Sequence, residues 1–169
     1  MLNTLVRILK HLCYPPWRLR QVLPKRSLKA IAEAISQSER EHSGEIRVAV
    51  EAALDWRRLL RRCSARDRAL EVFSQLRVWD TEHNNGVLIY LLLADREVEI
   101  VADRGINRLV GQEAWERICR QMEEAFRQGR FEQGLLAGVA AVGEQLERYF
   151  PGPDRLGNEL ADQPVVLDS

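Results

Sequence analysis

Hydrophobic and polar residues alternate along this chain with two distinct periods, and the changes of period mark its elements. Val87-Leu88-Ile89-Tyr90-Leu91-Leu92-Leu93-Ala94 is an unbroken apolar run of eight residues. It is short for a helix and rich in branched and aromatic side chains, which predicts a strand buried on both faces. Asp95-Arg96 makes a tight turn into Glu97–Ala102, where charged and apolar residues alternate as in a strand with one face to water. Strands joined this closely must pair antiparallel, so 87–102 is a central β-hairpin. Before the run stands Asp80-Thr81-Glu82-His83-Asn84-Asn85-Gly86, whose Asn-Asn-Gly predicts a turn tolerant of positive φ.

Upstream, Glu45–Glu51 alternates with period two and predicts the first strand. Leu28, Ile31, Ala32 and Ile35 carry a helix for which Ser27 is the expected cap, with His42-Ser43-Gly44 ending it. His42 is expected to serve as a partner of the helix dipole. Asp55–Arg62 is a basic connection, and Ala65, Ala69, Val72, Phe73 and Leu76 mark the inward stripe of a second helix. Strand, crossover helix and buried strand make a βαβ unit with its two strands parallel. Downstream, Val110, Ala114, Trp115, Ile118, Cys119, Met122 and Phe126 follow one helical face. Phe131–Phe150 forms the last helix, and Gly134, Gly138 and Gly143 within it imply a close approach to the sheet. Together these elements predict an α/β fold: a three-layer α/β/α sandwich around a mixed sheet.

Residues 1–23 stand apart. Leu2, Leu5, Val6, Ile8, Leu9 and Leu12 form an apolar face, with Arg7, Lys10 and His11 on the other side and Pro15-Pro16 ending the helix. Two readings stay open: a basic amphipathic segment on an anionic membrane or a partner's groove, or an extra helix packed on the domain. The expected organisation is thus 1–23 amphipathic segment, 24–150 domain, and 151–169 polar tail, mobile or draped, with Leu160 and Val165–Leu167 able to dock.

The 169 residues suffice for one domain with its own core, and 46% apolar with 30% charged is ordinary for a globular chain. Net charge is zero but unevenly placed. Residues 1–32 hold seven basic side chains and no acid, leaving eighteen basic residues against all 25 acids elsewhere, a net of −7. A nucleic-acid binder would carry its positive charge on the folded domain, so nucleic acid is not the expected partner. Cys13, Cys63 and Cys119 are odd in number and widely spaced, the pattern of neither a zinc cluster nor a disulfide framework. Together with the lack of a signal-peptide core near Met1, this leads to the expectation of a cytoplasmic protein, peripheral to the inner membrane if residues 1–23 bind it.

In order along the chain come Gly44-Glu45-Ile46, Asn85-Gly86-Val87-Leu88-Ile89, the strand ending at Arg104-Gly105-Ile106, and Phe126 through Phe131-Glu132-Gln133-Gly134-Leu135. Over residues 28–150 this resembles the TPM-domain family, found in thylakoid-lumen proteins of photosystem repair and in bacterial relatives. The resemblance implies a compact α/β/α domain, and among its members are weak acid phosphatases and calcium binders.

No GxSxG, P-loop, HExxH or GxGxxG is present. The remaining chemistry is oxygen-rich: Asp80, Glu82, Asn84 and Asn85 before the buried strand and Asp103 after its partner, with Asp80, Glu82, Asn84 and Asp103 the expected metal ligands. Antiparallel pairing returns Asp103 beside the first loop, and such hard ligands suit Ca²⁺ or Mg²⁺. The other reading makes the same residues turn caps and solvated acids. Two function classes follow: a non-catalytic accessory or interaction domain whose partner is another protein, itself membrane-bound, or a divalent-metal-dependent acid phosphatase of low activity.

Overall fold

The computed structural model describes residues 2–153 and 157–167, with side chains from residue 5 onward. The side chain of Leu2, expected on the apolar face, and tail residues 154–156 and 168–169 lie outside the described residues. The element order is α1 (Leu2–Leu12), α2 (Trp17–Val22), α3 (Lys25–Ser38), β1 (Ile46–Glu51), α4 (Trp56–Leu60), α5 (Ala65–Gln75), β2 (Val87–Leu92), β3 (Glu97–Ala102), α6 (Arg104–Val110), α7 (Gln112–Arg127), α8 (Phe131–Tyr149) and β4 (Val165–Leu167).

Every residue from Val87 to Ala94 is buried, as expected of a central strand. β3 pairs antiparallel with β2, Leu92 opposite Glu97, and Arg96 closes the hairpin with a left-handed φ of 57°. β1 lies parallel on the other side, Ile46 beside Val87, and β4 adds parallel to β1 with Ala49 beside Val165. The sheet is therefore β3-β2-β1-β4 and mixed. Strand alternation divides the core between its faces. Ile46, Val48, Val50, Val87, Ile89 and Leu91 pack with α3, α7 and α8, while Ala49, Leu88, Tyr90 and Leu92 pack with α4 and α5. This is the three-layer α/β/α sandwich.

Several local expectations are revised. The cap of α3 is Pro24, not Ser27; Ser27 is buried and its hydroxyl donates to Glu132 of α8. The basic connection contains a short helix, α4, because Asp55 caps it by accepting from the amides of Arg57 and Arg58. His42 is not a dipole partner. Its Nδ1–H donates to the Gly44 carbonyl at 3.0 Å and its Nε2 accepts from Ser38 at 2.9 Å, while burial lowers its pKa. The positive φ before β2 belongs to Asn84, at 52°, and Gly86 is required for another reason: a Cβ there would strike the carbonyl of Val78. The glycines of α8 face helices and not the sheet, Gly134 against Phe126, Gly138 against Met122 and Gly143 against Ser38.

The largest revision concerns α1. Leu5, Val6, Leu9 and Leu12 are exposed, Ile8 is half-buried, and His11 is buried against the domain. The helix packs on its polar side and turns its apolar face outward. Leu19 and Leu23 then enter the main core, so α2 is anchored more firmly than α1.

Candidate functional site

The oxygen-rich loops meet at the amino end of β2, as antiparallel pairing requires. Asp103 N donates to the Gly86 carbonyl at 2.9 Å and Ile106 N to the Asn84 carbonyl at 3.2 Å. Gly105 is pressed so close to Asn84 that a Cβ would collide with its carbonyl. Of the four expected ligands, Asp103 is buried; it caps α6, Oδ1 accepting from Arg104 N at 2.6 Å. Asp80 is exposed and paired with Arg77 at 3.0 Å, while Glu82 and Asn84 are exposed. Among the described residues, no three His, Cys, Asp or Glu side chains gather closely enough to hold a metal ion. Asn85 belongs to the same oxygen-rich group. It is fully buried, with Nδ2 donating to the Ser43 carbonyl at 3.0 Å. Asn85 Oδ1 and Asp103 Oδ2 are both buried without a protein partner, an uncommon and costly condition.

A second polar group lies inside the α4–α5 layer. Glu51, at the end of β1, takes a bidentate contact from Arg68, at 2.8 and 3.3 Å, and a hydrogen bond from the Tyr90 hydroxyl at 2.6 Å. Arg68 continues to Glu71 at 3.0 Å, and Glu71 to Arg58 at 3.3 Å. Burial, then the charge of Glu51, pushes the Tyr90 hydroxyl far above its ordinary pKa. Every charge here has a partner, which is the condition for burying an ion pair without great loss. Alternation had placed Glu51 on a polar strand face. Arg68 carried the signal, because it falls at i+3 in the buried stripe Ala65, Arg68, Ala69, Val72.

The third group fastens α1. Asp95, in the hairpin turn, accepts from Arg7 Nε at 2.9 Å and Lys10 Nζ at 3.3 Å, and His11 Nε2 approaches it at 3.0 Å. Arg7 also reaches the Cys63 carbonyl at 2.9 Å. Burial opposes the charge on Asp95, but His11 and Arg7 outweigh it and hold the carboxyl well below the usual range. Between α1, α2 and α4 a cleft of about 620 Å³ opens over the carboxyl ends of β1 and β4, with Tyr14, Trp17 and Trp56 among its walls.

Fold and loops together define a three-layer α/β/α domain with an antiparallel hairpin on a parallel pair. The TPM domain family matches residues 19–145, and the chain belongs to that family. The chain is similar to the BA42 protein of the psychrophilic bacterium Bizionia argentinensis, solved by NMR. The two share 34% identity over 86% of this chain and 95% of that one, with a TM-score of 0.75. The N-terminal domain of a protein from P. gingivalis shares the fold at 23% identity, over 76% of this chain and 79% of that one, with a TM-score of 0.61. A comparison with curated proteins returned no match. Among the described residues no helix is long and apolar enough to cross a membrane.

Proposed function

We propose that this TPM domain is a non-catalytic accessory module that works at the inner face of a cytoplasmic membrane beside a membrane-bound protein partner. The outward apolar face of α1 carries this reading. Leu5, Val6, Leu9 and Leu12 stand in water, and Arg18 and Arg20 are exposed on the following helix α2, an arrangement suited to an anionic bilayer. Each Lys or Arg near such a surface contributes about 1 kcal/mol, screened by salt, and leucines entering the acyl boundary add about 25 cal/mol per Å². The rest of the chain, at net −7, opposes adsorption, so binding is weak and confined to low salt. The exposed Cys13 thiol fits a reducing compartment.

Deleting residues 1–23 is a poor test, since it removes Leu19 and Leu23 from the core. Substitution on α1 is cleaner. The intact chain is expected to sediment with anionic vesicles at low salt and not with neutral ones. Leu5→Asp with Leu9→Asp abolishes sedimentation without lowering the melting temperature. Equal sedimentation of that variant would refute the role of α1.

The second reading, a metal-dependent phosphatase of low activity, is favoured by one observation: the unpartnered oxygens of Asn85 and Asp103 lie on the two adjoining loops. Turnover of a generic phosphate ester with Ca²⁺ or Mg²⁺, lost with chelator and in Asp103→Ala, would establish it over the accessory role.

A further inference from the structure

We propose that the cleft between α2, α4 and the carboxyl ends of β1 and β4 binds an anionic phospholipid, its head phosphate at Arg20 and its acyl portion between Trp17 and Trp56. The inference rests on the reading that this face meets a membrane, and it names what the face takes up there.

In open α/β sheets, ligands sit at the carboxyl ends of the strands, and sites for small organic molecules occupy about 300–1,000 Å³. At about 620 Å³, floored by Ala52, Ala53 and Leu54 at the end of β1, this cleft meets both conditions. Its walls are unusual for a surface facing only water. Trp17 and Trp56 are more than half exposed although they come from separate helices, and only the fold brings them to one opening. Large indoles with one polar edge are favoured where hydrocarbon meets headgroups. Leu12, at the end of α1, also lines the cleft, so the opening is continuous with the apolar face of that helix.

Charge selects the head. Besides Tyr14, three ionisable side chains line the cleft. His11 is buried, accepts from Leu54 N at 2.9 Å and stands 3.0 Å from Asp95. Asp55 is occupied in capping α4 and in its ion pair with Arg58. Arg20 is exposed and in no ion pair among the described residues. Its guanidinium is left to meet an anion, and its fork of donors matches phosphate oxygens. Arg57 over the Trp56 ring at 5.4 Å and Arg18 over the Tyr14 ring at 5.3 Å add positive potential at the rim, against which a zwitterionic head gains less.

The test uses the intact chain and a short-chain lipid kept monomeric, so that cleft binding is separate from adsorption to a bilayer. The indole N–H resonances are followed during titration with dihexanoyl-phosphatidylglycerol. Trp17 and Trp56 should shift along one saturable 1:1 curve. Trp115, which is buried, and Trp79, before the amino end of β2, should not move. Dihexanoyl-phosphatidylcholine should bind about ten-fold more weakly, and Arg20→Gln should lose about ten-fold for the anionic lipid alone. Hexanoate and inorganic phosphate should each fail to saturate. Equal binding of the two lipids, wild-type affinity in Arg20→Gln, or saturation by hexanoate would overturn the assignment. Leu5 and Leu9 are not on the cleft lining, so vesicle sedimentation reports separately on the membrane reading. Vesicle binding without saturation by monomeric lipid sinks the cleft alone. Saturation without vesicle binding sinks the membrane reading alone.

Discussion

His11 Nε2 stands 3.0 Å from Asp95 Oδ2, joining the N-terminal helix to the turn of the central hairpin. The tautomer follows from the other ring nitrogen. Leu54 N donates to His11 Nδ1 at 2.9 Å, so in the neutral ring Nδ1 offers its lone pair and the proton sits on Nε2, which lies close to the acid without meeting hydrogen-bond geometry. One buried imidazole thus ties α1 both to the end of β1 and to the β2–β3 turn.

Replacing that acid should release the helix. In Asp95→Asn the contacts to Arg7, Lys10 and His11 weaken together, at a cost of about 3 kcal/mol, the low end for breaking a buried pair because Lys10 is half exposed. Hydrogen exchange should show α1 amides losing protection while β2 keeps its own. The same contact sets an acid limit. Since the folded pKa of Asp95 is depressed, its contribution is complete above the unfolded value near 4 and is lost as pH falls below it. The α1 amides of wild type should therefore lose protection on acidification below about pH 4.

Glu39 predicts the opposite slope. Its carboxylate accepts from Ile46 N at 2.9 Å, but burial, reinforced by Glu45 and Asp162, raises its pKa to about 8. A carboxyl whose folded pKa is raised contributes fully below the unfolded value near 4.5, and that contribution is lost as pH rises toward 8. Wild type should lose roughly 1–3 kcal/mol between pH 5 and pH 8 from this group. Glu39→Gln keeps the acceptor and should flatten the curve, measured by denaturant melts at both pH values.

The Glu51 network predicts unequal losses. Tyr90→Phe removes one donor from a carboxylate still held by Arg68 and should cost about 1–2 kcal/mol. Arg68→Met leaves Glu51 charged and buried without its cation and should cost about 3–5 kcal/mol. Chemical denaturation of the two variants decides the order.

Gly86 and Gly138 give a matched comparison. A Cβ at Gly86 meets the Val78 backbone carbonyl, which cannot move without the loop, so Gly86→Ala should cost about 3 kcal/mol or more. At Gly138 the obstacle is the Met122 thioether, a flexible side chain. There the gain in helix propensity, about 1 kcal/mol, offsets part of the repacking, and Gly138→Ala should lie within about 1 kcal/mol of wild type. Thermal melts of both variants test the contrast.

Calcium tests the oxygen-rich loops. If Asp103 and its neighbours take a divalent cation, millimolar Ca²⁺ raises the melting temperature in accordance with RT ln(1 + [L]/Kd), and Asp103→Asn removes the rise. A melt unchanged across the calcium series leaves the turn-capping role of Asp103 alone.

What the amino-acid sequence determined by itself is whatever local periodicity encodes. The run 87–94 reads as a doubly buried strand because no position in it tolerates water. The α5 stripe reads as a helix, and two strands separated by Asp95-Arg96 have no geometry but the hairpin. Those elements, and the return of Asp103 beside Asn84, follow from spacing alone. Periodicity shows that α1 has two faces but not which one docks. That was decided by Asp95, distant in sequence, whose buried carboxylate needs the cations of the polar face. Glu51 and Arg68 each read as surface charges until the fold sets them 2.8 Å apart and makes burial tolerable. Gly86 reads as a positive-φ residue, yet the approach of the Val78 carbonyl is what excludes a side chain there. Val165–Leu167 becomes a strand only because β1 has a free edge, and Trp17 meets Trp56 only where two helices converge over the strand ends. Apart from Val78 and Gly86, eight residues apart across one loop, the deciding partner is remote along the chain, and pairing energies between remote groups leave no trace in local pattern.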